Sequence, residues 1–308
     1  MSQLSMPVSS SSALEEVFAR MQEEGSASAV VSDDGGVFGT VTDADLRCAV
    51  MTGTPLTDPV GKVVTGDRVP VASDTSDVTA VVLAGGRGQR LRPLTDKLPK
   101  PLLTVGRTTI VERLLEGLRT AGITEVYLAV NYKAEAFEER LGDGAGHGVN
   151  LRYLREREPL HTAGPLSLLP DVAPGPIVVM NADQVTSLRF ARLVDFHRHQ
   201  EAAITVGTFE HAVPIPYGVL RLEGAGVVGI DEKPTLRRPC NAGIYVVEPD
   251  VVALVPPDTF FGMPALVEAV LAQGRPVAAF PILEKFIDIG TLEELEAALV
   301  LFATGEEV

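Results

Sequence analysis

Three glycines and two basic residues form the cluster in this sequence whose chemistry is easiest to interpret. Gly85, Gly86 and Gly88 fall within four positions, and Arg90 and Lys100 follow them. Glycine has no Cβ, so its backbone N–H can approach a phosphate closely, while Arg and Lys supply positive charge to the phosphate oxygens. The spacing suits a triphosphate, although a plain structural turn would also explain a glycine-rich loop taken alone. No Gly-Lys-Ser/Thr follows, which excludes a Walker A loop, and the third glycine of the dinucleotide fingerprint is missing.

The charge of this loop is opposite to the charge of the whole chain. The 308 residues carry 26 Lys and Arg against 41 Asp and Glu, a formal net charge of −15. Between positions 81 and 106 the net charge is +4, because a single acid, Asp96, stands among five basic residues: Arg87, Arg90, Arg92, Lys97 and Lys100. DNA, RNA and anionic membranes would repel so acidic a chain, and we expect none of them as a partner. A small polyanion at the loop stays compatible with this charge.

The elements on either side of the loop must hold it in place. After residue 78, short apolar runs alternate with helical patterns, which predicts strands at 79–83, 125–130, 150–154 and 176–180 and helices at 109–121, 133–140 and 162–169. This alternation predicts an α/β fold with a doubly wound, mostly parallel sheet, in which ligands bind at the carboxyl ends of the strands. From about 203, closely spaced strands indicate an antiparallel insertion. Helices at 263–273 and 291–303 are expected to close the chain.

A polar stretch at 66–78 is interpreted as a linker, which predicts two parts, 1–77 and 78–308. Before it, strands at Ala29–Val31 and Val37–Val41 around a turn at 33–36 predict a hairpin, and a helix follows from Asp43. So short a unit buries little apolar surface, and we expect it to need a partner.

Targeting signals and cysteines point to an ordinary intracellular chain. The N-terminus has neither the basic nor the apolar region of a signal peptide, and no apolar run approaches the roughly 18 residues that span a bilayer. We therefore expect a cytoplasmic protein. Cys48 and Cys240 are too few and too far apart for a disulfide framework or a zinc ribbon, and are expected to be reduced thiols.

The loop also carries a family signature. Residues 85–103, GGRGQRLRPLTDKLPKPLL, resemble the GGxGTRLxPLTxxxPKPLL segment of the sugar-1-phosphate nucleotidyltransferases, and the resemblance extends over about 78–303. It implies a Rossmann-like sheet with an antiparallel sugar-binding insertion. It further implies that Arg90 and Lys100 hold the nucleotide phosphates and that Mg²⁺ completes the charge. The residues expected to contact the nucleotide are Leu83, Gly85, Gly86 and Gly88. Gln89 replaces the usual threonine, a change we expect to be tolerated.

Two aspartates match the metal ligands of that family. Asn181-Ala182-Asp183 resembles its Asn-Gly-Asp, and the segment from Asp288 to Thr291 resembles its Asp-Ile-Gly-Thr. Taken alone, Asp183 would fit an Asx turn, and Asp288 or Thr291 a helix cap. The resemblance implies that the carboxylates of Asp183 and Asp288 converge on one Mg²⁺ ion.

The sugar phosphate is expected to meet residues later in the chain. Tyr217-Gly218, Glu232-Lys233-Pro234 and the segment beginning at Asn241 resemble the family's Tyr-Gly, Glu-Lys-Pro and Asn-Ala-Gly-Ile-Tyr. The resemblance implies that Glu232 binds sugar hydroxyls and that Lys233 binds the sugar phosphate. Without the resemblance, a surface Glu–Lys pair would not indicate a binding site.

The nucleobase is expected beside residues 158–164, EPLHTAG, which resemble the family's EPLGTAG. The resemblance implies nucleotide contacts for Glu158, His161 and Thr162. His161 replaces a glycine, so its ring would narrow or stack in the base pocket, or else point to solvent as an ordinary loop histidine. A carboxylate at Glu158 would complement the N–H donors of guanine, and we expect GTP, with UTP, dTTP, ATP and CTP as alternatives.

The N-terminal part resembles half of a cystathionine β-synthase (CBS) module. In GTVTDADL, residues 39–46, Thr42 and Asp45 match the positions that bind the ribose of an adenine nucleotide. CBS motifs work in pairs, and here one motif is followed only by a vestige. We expect a small α+β segment that packs on the core or on another subunit of a homo-oligomer. The alternative is a nucleotide-sensing site formed by pairing in a dimer.

The reaction implied by the resemblance is transfer of a nucleotidyl group. An oxygen of a sugar-1-phosphate attacks the α-phosphorus of an NTP in line and expels pyrophosphate, which requires positioning and charge neutralisation more than a covalent residue. The residues expected to carry it are Arg90, Lys100, Asp183, Lys233 and Asp288. The acceptor is a hexose, heptose or cyclitol phosphate. The competing class is a nucleotide-sensing regulatory protein with an inactive core, and such a chain should have lost some of these five residues.

Overall fold

Seven strands form the central sheet of the computed structural model, which describes residues 6–33, 36–64, 74–170 and 174–303. The strands are β4 (Thr79–Leu83), β7 (Glu125–Val130), β8 (Asn150–Arg155), β9 (Ile177–Asn181), β11 (Ile204–Pro214), β14 (Thr235–Val247) and β15 (Val277–Pro281). Their order across the sheet is β15-β11-β14-β9-β4-β7-β8. β4 pairs in parallel with both β7 and β9, whereas β14 is antiparallel to β9 and β11. The predicted α/β fold, mostly parallel with an antiparallel part, is confirmed.

β4 is the point at which the strand order reverses. From β4 the chain adds β7 and β8 on one side and then returns to add β9 on the other. In such sheets the loops after the two strands at the reversal diverge and leave a crevice above their carboxyl ends. The loop after β4 and the turn after β9 therefore face one another across this crevice.

Burial on both faces explains why these short apolar runs are strands. Along β4, Ala80 and Val82 belong to the core on one face of the sheet, and Val81 belongs to the core on the other. All three side chains are fully buried. A strand between two layers is a nearly continuous apolar run, and in TAVVL every residue after Thr79 is apolar.

Helices cover both faces of the sheet. They are α4 (Ile110–Thr120), α5 (Ala134–Leu141) and α6 (Phe190–His199) on one face and α7 (Met263–Ala272) on the other. Two further helices are α3 (Leu94–Lys97) and α8 (Leu292–Ala303), and α8 packs against the segments Thr104–Val105 and Phe286–Asp288. The predicted helix at 162–169 is wrong, since only a 3-10 turn is present at Gly164–Leu168. The backbone N–H groups of Ala163 and Gly164 both donate to Phe261 O, at 2.9 Å each, so a contact from a distant loop fixes this backbone instead of an α-helix.

Six short strands complete the elements as antiparallel pairs. They are β5 (Thr104–Val105) with β6 (Thr108–Thr109), β10 (Gln184–Thr186) with β16 (Phe286–Asp288), and β12 (Val219–Glu223) with β13 (Gly226–Asp231). The pair β10–β16 is important for the site because it places Asp288, at the end of β16, beside the turn that follows β9.

An N-terminal segment, residues 6–64, has a small sheet of its own. Its elements are β1 (Met6–Ser9), α1 (Leu14–Glu23), β2 (Ser28–Asp33), β3 (Gly36–Thr42) and α2 (Asp43–Met51). The predicted hairpin and the helix from Asp43 are present, although Asp34 and Gly35 of its turn lie outside the described residues. So does most of the predicted linker, residues 65–73. The division of the chain at residue 77 stays a prediction.

Two helices, α1 and α6, are not predicted from the sequence although their periodicity is regular. The buried residues of α1 are Leu14, Val17, Phe18 and Met21, and those of α6 include Phe190, Leu193, Val194 and His197. Both sets follow the i, i+3, i+4, i+7 spacing of one helical face. The signal that predicts an amphipathic helix is therefore available in the sequence in both places.

The CBS-like residues have a local structural use. Asp45 N donates to Thr42 Oγ1 at 3.1 Å, and Thr42 N donates to Asp45 Oδ2 at 3.0 Å, which is the capping box that begins α2. The same pairing satisfies a backbone N–H group that the first helical turn would leave without a partner. Nucleotide binding by this segment stays a prediction.

Two further findings bear on the sequence analysis. No disulfide joins Cys48 to Cys240. None of the helices in the described ranges is both long enough and apolar enough to span a bilayer.

The capping box of α4 supplies a test of the fold. Thr109 Oγ1 accepts from Glu112 N, and Glu112 Oε2 accepts from Thr109 N at 2.8 Å. Thr109→Ala removes the cap and is expected to lower the free energy of unfolding by about 1 kcal/mol, measured by urea denaturation. The matched control is Thr120→Ala at the exposed end of the same helix, for which we expect almost no loss. Equal losses in both variants would contradict the capping role.

Candidate active site

A cleft of about 470 Å³ lies where β4 and β9 end. Nine of the residues predicted to bind nucleotide or catalyse transfer line it: Leu83, Gly85, Gly86, Gly88, Arg90, Lys100, His161, Thr162 and Asp183. They come from the loop after β4, the loop after β8 and the turn after β9. The predicted convergence of these loops at the carboxyl ends of the strands is thus present in the structure.

The glycine-rich loop is bent by a left-handed residue. Gly88 has φ of +58°, and a Cβ at that position would lie 2.9 Å from Thr95 Cγ2 and 3.1 Å from Lys100 Cβ. Thr95 Oγ1 also donates to Gly88 O at 2.8 Å. Glycine is required here because any side chain would meet both the unfavourable backbone conformation and the neighbouring atoms.

Lys100 and Asp183 join the two sides of the cleft. Lys100 Nζ donates to Asp183 Oδ2 at 2.6 Å, and the Lys100 side chain is only 8% exposed. A buried ammonium needs a carboxylate partner, and a charge-assisted hydrogen bond of this length satisfies it. The ion pair therefore holds the loop after β4 against the turn after β9.

Asp288 lies beside Asp183. It is paired in register with Gln184, and Ile289 N donates to Asp183 O at 3.0 Å. Partial burial and the negative charge of Asp183 raise the pKa of Asp288. Arg90 lies close by, because a Cβ on Gly290 would be 2.9 Å from Arg90 Nη1. Asp183 and Arg90 thus line the cleft, and Asp288 lies beside Asp183 without lining the cleft itself.

The residues present fit a hard divalent cation such as Mg²⁺. Asp183 Oδ1 is buried and makes no hydrogen bond to any described residue, so one carboxylate oxygen is left with unused acceptor capacity. Within the described ranges, no three His, Cys, Asp or Glu side chains gather as a metal cage. Mg²⁺ is usually held by one or two carboxylates, while substrate phosphates and water supply the other oxygens. Asp183 and Asp288 match that pattern.

The sequence offers a helix cap as the alternative role of Asp288 or Thr291. In the structure Thr291 makes this cap. Thr291 Oγ1 accepts from Glu294 N at 3.3 Å, and Glu294 Oε2 accepts from Thr291 N at 2.7 Å. Glu294 and Thr291 together satisfy the start of α8. Asp288 takes no part in this cap and stays available beside Asp183.

A carboxylate that the sequence analysis did not select, Glu156, lines the cleft. It stands directly after β8 and is half-buried, and a Cβ on Gly85 would lie 2.7 Å from Glu156 Oε1. Leu160 N donates to Glu156 Oε2 at 2.8 Å, and burial raises the pKa of Glu156. The predicted base contact, Glu158, is exposed and does not line the cleft. The position of Glu156 at the carboxyl end of a parallel strand is the signal that points to it.

His161 and Phe260 form an aromatic wall of the cleft. Their ring centroids are 4.6 Å apart in an edge-to-face arrangement, and His161 Nδ1 lies 3.1 Å from Thr162 Oγ1. His161 has φ of +67°. This backbone conformation explains why glycine suits the position. The imidazole lines the cleft against Phe260, although the residue is also exposed.

The residues predicted to bind the sugar phosphate lie on a separate arm. We call residues 209–240 the arm: a two-stranded ribbon made of the outer halves of β11 and β14 and the pair β12–β13. Tyr217, Gly218, Glu232 and Lys233 are all exposed on it, Tyr217 by 73%. None of these four residues lines the cleft. The side chain of Glu232 lies against Gly218, since a Cβ on Gly218 would lie 3.0 Å from Glu232 Oε2.

Asn241 connects the base of the arm to the cleft. Its Nδ2 donates to the Tyr245 hydroxyl at 2.6 Å, and its Oδ1 accepts from Gly243 N at 2.8 Å. Gly243 has φ of +71° and lies against Asn181, which lines the cleft. Gly243 thus lies between Asn241 and Asn181, and Asn241 does not itself line the cleft.

Residues 79–304 match the family model described as nucleotidyl transferase. The match covers well over half of the chain, and the fold and the cleft have the features described above, so the chain belongs to the nucleotidyl transferase family.

Curated proteins similar to this chain are called mannose-1-phosphate guanyltransferases. The chain is 33% identical over 235 residues to mannose-1-phosphate guanyltransferase of Saccharomyces cerevisiae, covering 72% of this chain and 64% of that protein. It is 39% identical over 184 residues to the enzyme of the same name from Yarrowia lipolytica, covering 57% and 50% respectively. The chain thus spans half to about two thirds of the length of these curated relatives.

Solved structures share the fold. HddC from Yersinia pseudotuberculosis is 24% identical with a TM-score of 0.56, covering 73% of this chain and 99% of that one. A Bacillus anthracis protein crystallised with a sucrose is 24% identical with a TM-score of 0.62, covering 75% and 97%. At this identity the likeness shows the fold alone.

The conformation of His161 yields a test that separates its backbone from its ring. His161→Gly and His161→Ala both remove the imidazole, but only glycine relieves the left-handed backbone. We expect the Gly variant to be more stable than the Ala variant by about 1 kcal/mol, measured by urea unfolding. Both variants should bind nucleotide more weakly, to the same extent, in calorimetric titration. Equal stability of the two variants would contradict the strain at this position.

Proposed function

We propose that the chain transfers a guanylyl group from GTP to a sugar-1-phosphate, with mannose-1-phosphate as the first candidate acceptor. The observation that carries the proposal is the cleft itself, where a glycine-rich loop, the Lys100–Asp183 pair and the Glu156 carboxylate meet. The names of the relatives support the guanine base and the mannose acceptor.

The proposed reaction forms one P–O bond and breaks another. An ionised phosphate oxygen of the sugar-1-phosphate attacks the α-phosphorus in line, and the bond to the β-phosphate oxygen breaks to release pyrophosphate. The attacking oxygen carries no proton that must be removed, so no general base is needed. Lys100 and Arg90 are proposed to neutralise the triphosphate, since both line the cleft. Positioning and charge compensation lower the barrier of such reactions.

Asp183 and Asp288 are proposed to hold Mg²⁺. When bound, the ion would compensate charge on the triphosphate and on the leaving pyrophosphate. The free oxygen of Asp183 supports this assignment. Lys233, Glu232, Tyr217, Gly218 and Asn241 are proposed to bind the sugar phosphate from the side of the arm.

The guanine preference is proposed to rest on Glu156 rather than Glu158. A carboxylate offers two acceptors, which complement the N1–H and N2–H donors of guanine, whereas uracil and thymine present one donor between two acceptors. Glu156 lies inside the cleft against Gly85, and Glu158 lies outside it.

The first experiment is a matrix of five NTPs against several sugar-1-phosphates with Mg²⁺, in which products are read by mass spectrometry. We expect GDP-sugar to dominate. Turnover that favours another NTP would overturn the base assignment. Nucleotide binding without pyrophosphate release from any pair would favour the regulatory alternative.

Removing either partner of the central ion pair should abolish most turnover. Lys100→Met and Asp183→Asn are each expected to lower kcat by about 100-fold or more, because charge compensation in a shielded site is lost. Pyrophosphate release measures kcat, and circular dichroism checks the fold. Lys62→Met, at an exposed lysine of the N-terminal segment, is the matched control and should keep wild-type turnover. Wild-type turnover in either cleft variant would contradict the assigned roles.

Two glutamate variants test the base assignment against the sequence-based expectation. Glu156→Gln presents one acceptor and one donor, so the ratio of kcat/KM for GTP over UTP should fall about ten- to a hundred-fold. Since burial raises the pKa of Glu156, the same ratio should also fall as the pH is lowered through that raised pKa. If Glu158→Gln changes the ratio and Glu156→Gln does not, the expectation from the sequence is right and the proposal fails.

A further inference from the structure

Arg47 is a fully buried charge between the N-terminal segment and the rest of the chain. Its side chain is 0% exposed, and its Nε donates to Asp43 Oδ2 at 2.6 Å within α2. Across the boundary, Nη2 donates to Glu284 Oε1 at 2.6 Å and Nη1 donates to Pro281 O at 2.5 Å. The guanidinium also lies 4.1 Å from the centroid of the Phe280 ring. One side chain of α2 therefore fixes the end of β15 and the turn that follows it.

That turn leads directly to Asp288. Glu284 is also held by Leu283 N, which donates to its Oε2 at 3.0 Å. The next residue, Lys285, accepts at its backbone oxygen from Ser187 N at 3.0 Å and Thr186 Oγ1 at 2.9 Å. β16 then runs beside β10 to Asp288. A short segment held by hydrogen bonds thus leads from Glu284, the partner of Arg47, to Asp288, which lies beside Asp183.

A buried ion network of this kind needs a reason other than stability. Well-packed apolar side chains of similar volume often stabilise a fold as much as a buried ion pair or more, because the charges lose their hydration. What an apolar contact lacks is direction. The planar guanidinium donates to two carboxylates and a carbonyl in fixed directions, so it sets the orientation of the turn as well as its distance.

We propose that Arg47 is a positioning residue that orients the strand bearing Asp288, so that the N-terminal segment sets the geometry of the Asp183–Asp288 pair. This inference rests on the proposed function in assigning a cation to the pair. Carboxylates that hold a metal must be oriented by groups outside the ligand set, and here the orienting group comes from a part of the chain that does not line the cleft.

The test uses the full chain with Arg47→Met, which keeps an apolar side chain of comparable length. We expect the Mg²⁺ concentration for half-maximal pyrophosphate release to rise about ten-fold or more, with little change in the KM for GTP at saturating Mg²⁺. We also expect faster hydrogen exchange at the Ile289 amide, which donates to Asp183 O. The Glu156 amide, which donates to Val130 O across the sheet, is the internal reference and should exchange as in wild type.

Two further variants keep the outcome interpretable. Glu284→Gln retains the shape and one acceptor while removing the charge, and serves if Arg47→Met does not fold; the same shifts, smaller in size, are expected. Val60→Ala lowers stability within the core of the N-terminal segment and should leave both the Mg²⁺ dependence and the Ile289 exchange unchanged. A rise in the half-maximal Mg²⁺ concentration in Val60→Ala as large as that in Glu284→Gln would overturn the inference in favour of general destabilisation.

The inference and the proposed function fail in different ways. If wild type releases no pyrophosphate, the proposed function fails, while the hydrogen-exchange comparison still tests the coupling. If wild type is active and a folded Arg47→Met or Glu284→Gln variant keeps both the Mg²⁺ dependence and the Ile289 exchange rate of wild type, the coupling is absent.

Discussion

The ion pair of Lys100 and Asp183 is the constraint on which the cleft depends. Its two partners follow β4 and β9, the neighbouring strands at which the sheet order reverses. A lysine side chain that is 8% exposed is costly without a counter-charge, so the contact with Asp183 stabilises the position of the loop after β4. The same contact turns Asp183 so that Oδ2 is occupied and Oδ1 is free. The same ion pair thus explains both the position of the loop after β4 and the orientation of the Asp183 carboxylate in the cleft.

Local patterns predict the frame of the molecule well and its long-range contacts poorly. β4 and β7 are predicted to the residue, because a run of apolar residues buried on both faces has few other solutions. The 162–169 helix is wrong because the amides of Ala163 and Gly164 bond to Phe261, about a hundred residues away. Glu156, which lines the cleft, is missed for the opposite reason: the rule that points to Asp183 at the end of β9 also applies at the end of β8, whereas the motif match points to Glu158.

The two halves of the proposed site differ in how they are held. The nucleotide side is built on β4, β8 and β9, whose side chains are mostly buried in the two cores. The sugar-binding motif lies on the arm, where both strands of the ribbon expose nearly every side chain. An isolated two-stranded ribbon is marginally stable in water, and regions with few buried contacts open at low free-energy cost. Under the proposed function, base recognition therefore rests on a rigid frame, whereas acceptor recognition rests on an element with few buried contacts.

The N-terminal segment is joined to the larger part of the chain by a directional contact. A unit of five elements buries little apolar surface by itself, and α2 packs against α6 and β15 of the larger part. Apolar packing alone would extend that burial. The contact instead contains a fully buried arginine with two carboxylates, of which one, Glu284, stands four residues before Asp288. A directional contact that close in sequence to a proposed metal ligand constrains the ligand as well as the boundary, so the segment that needed a partner also determines part of the site.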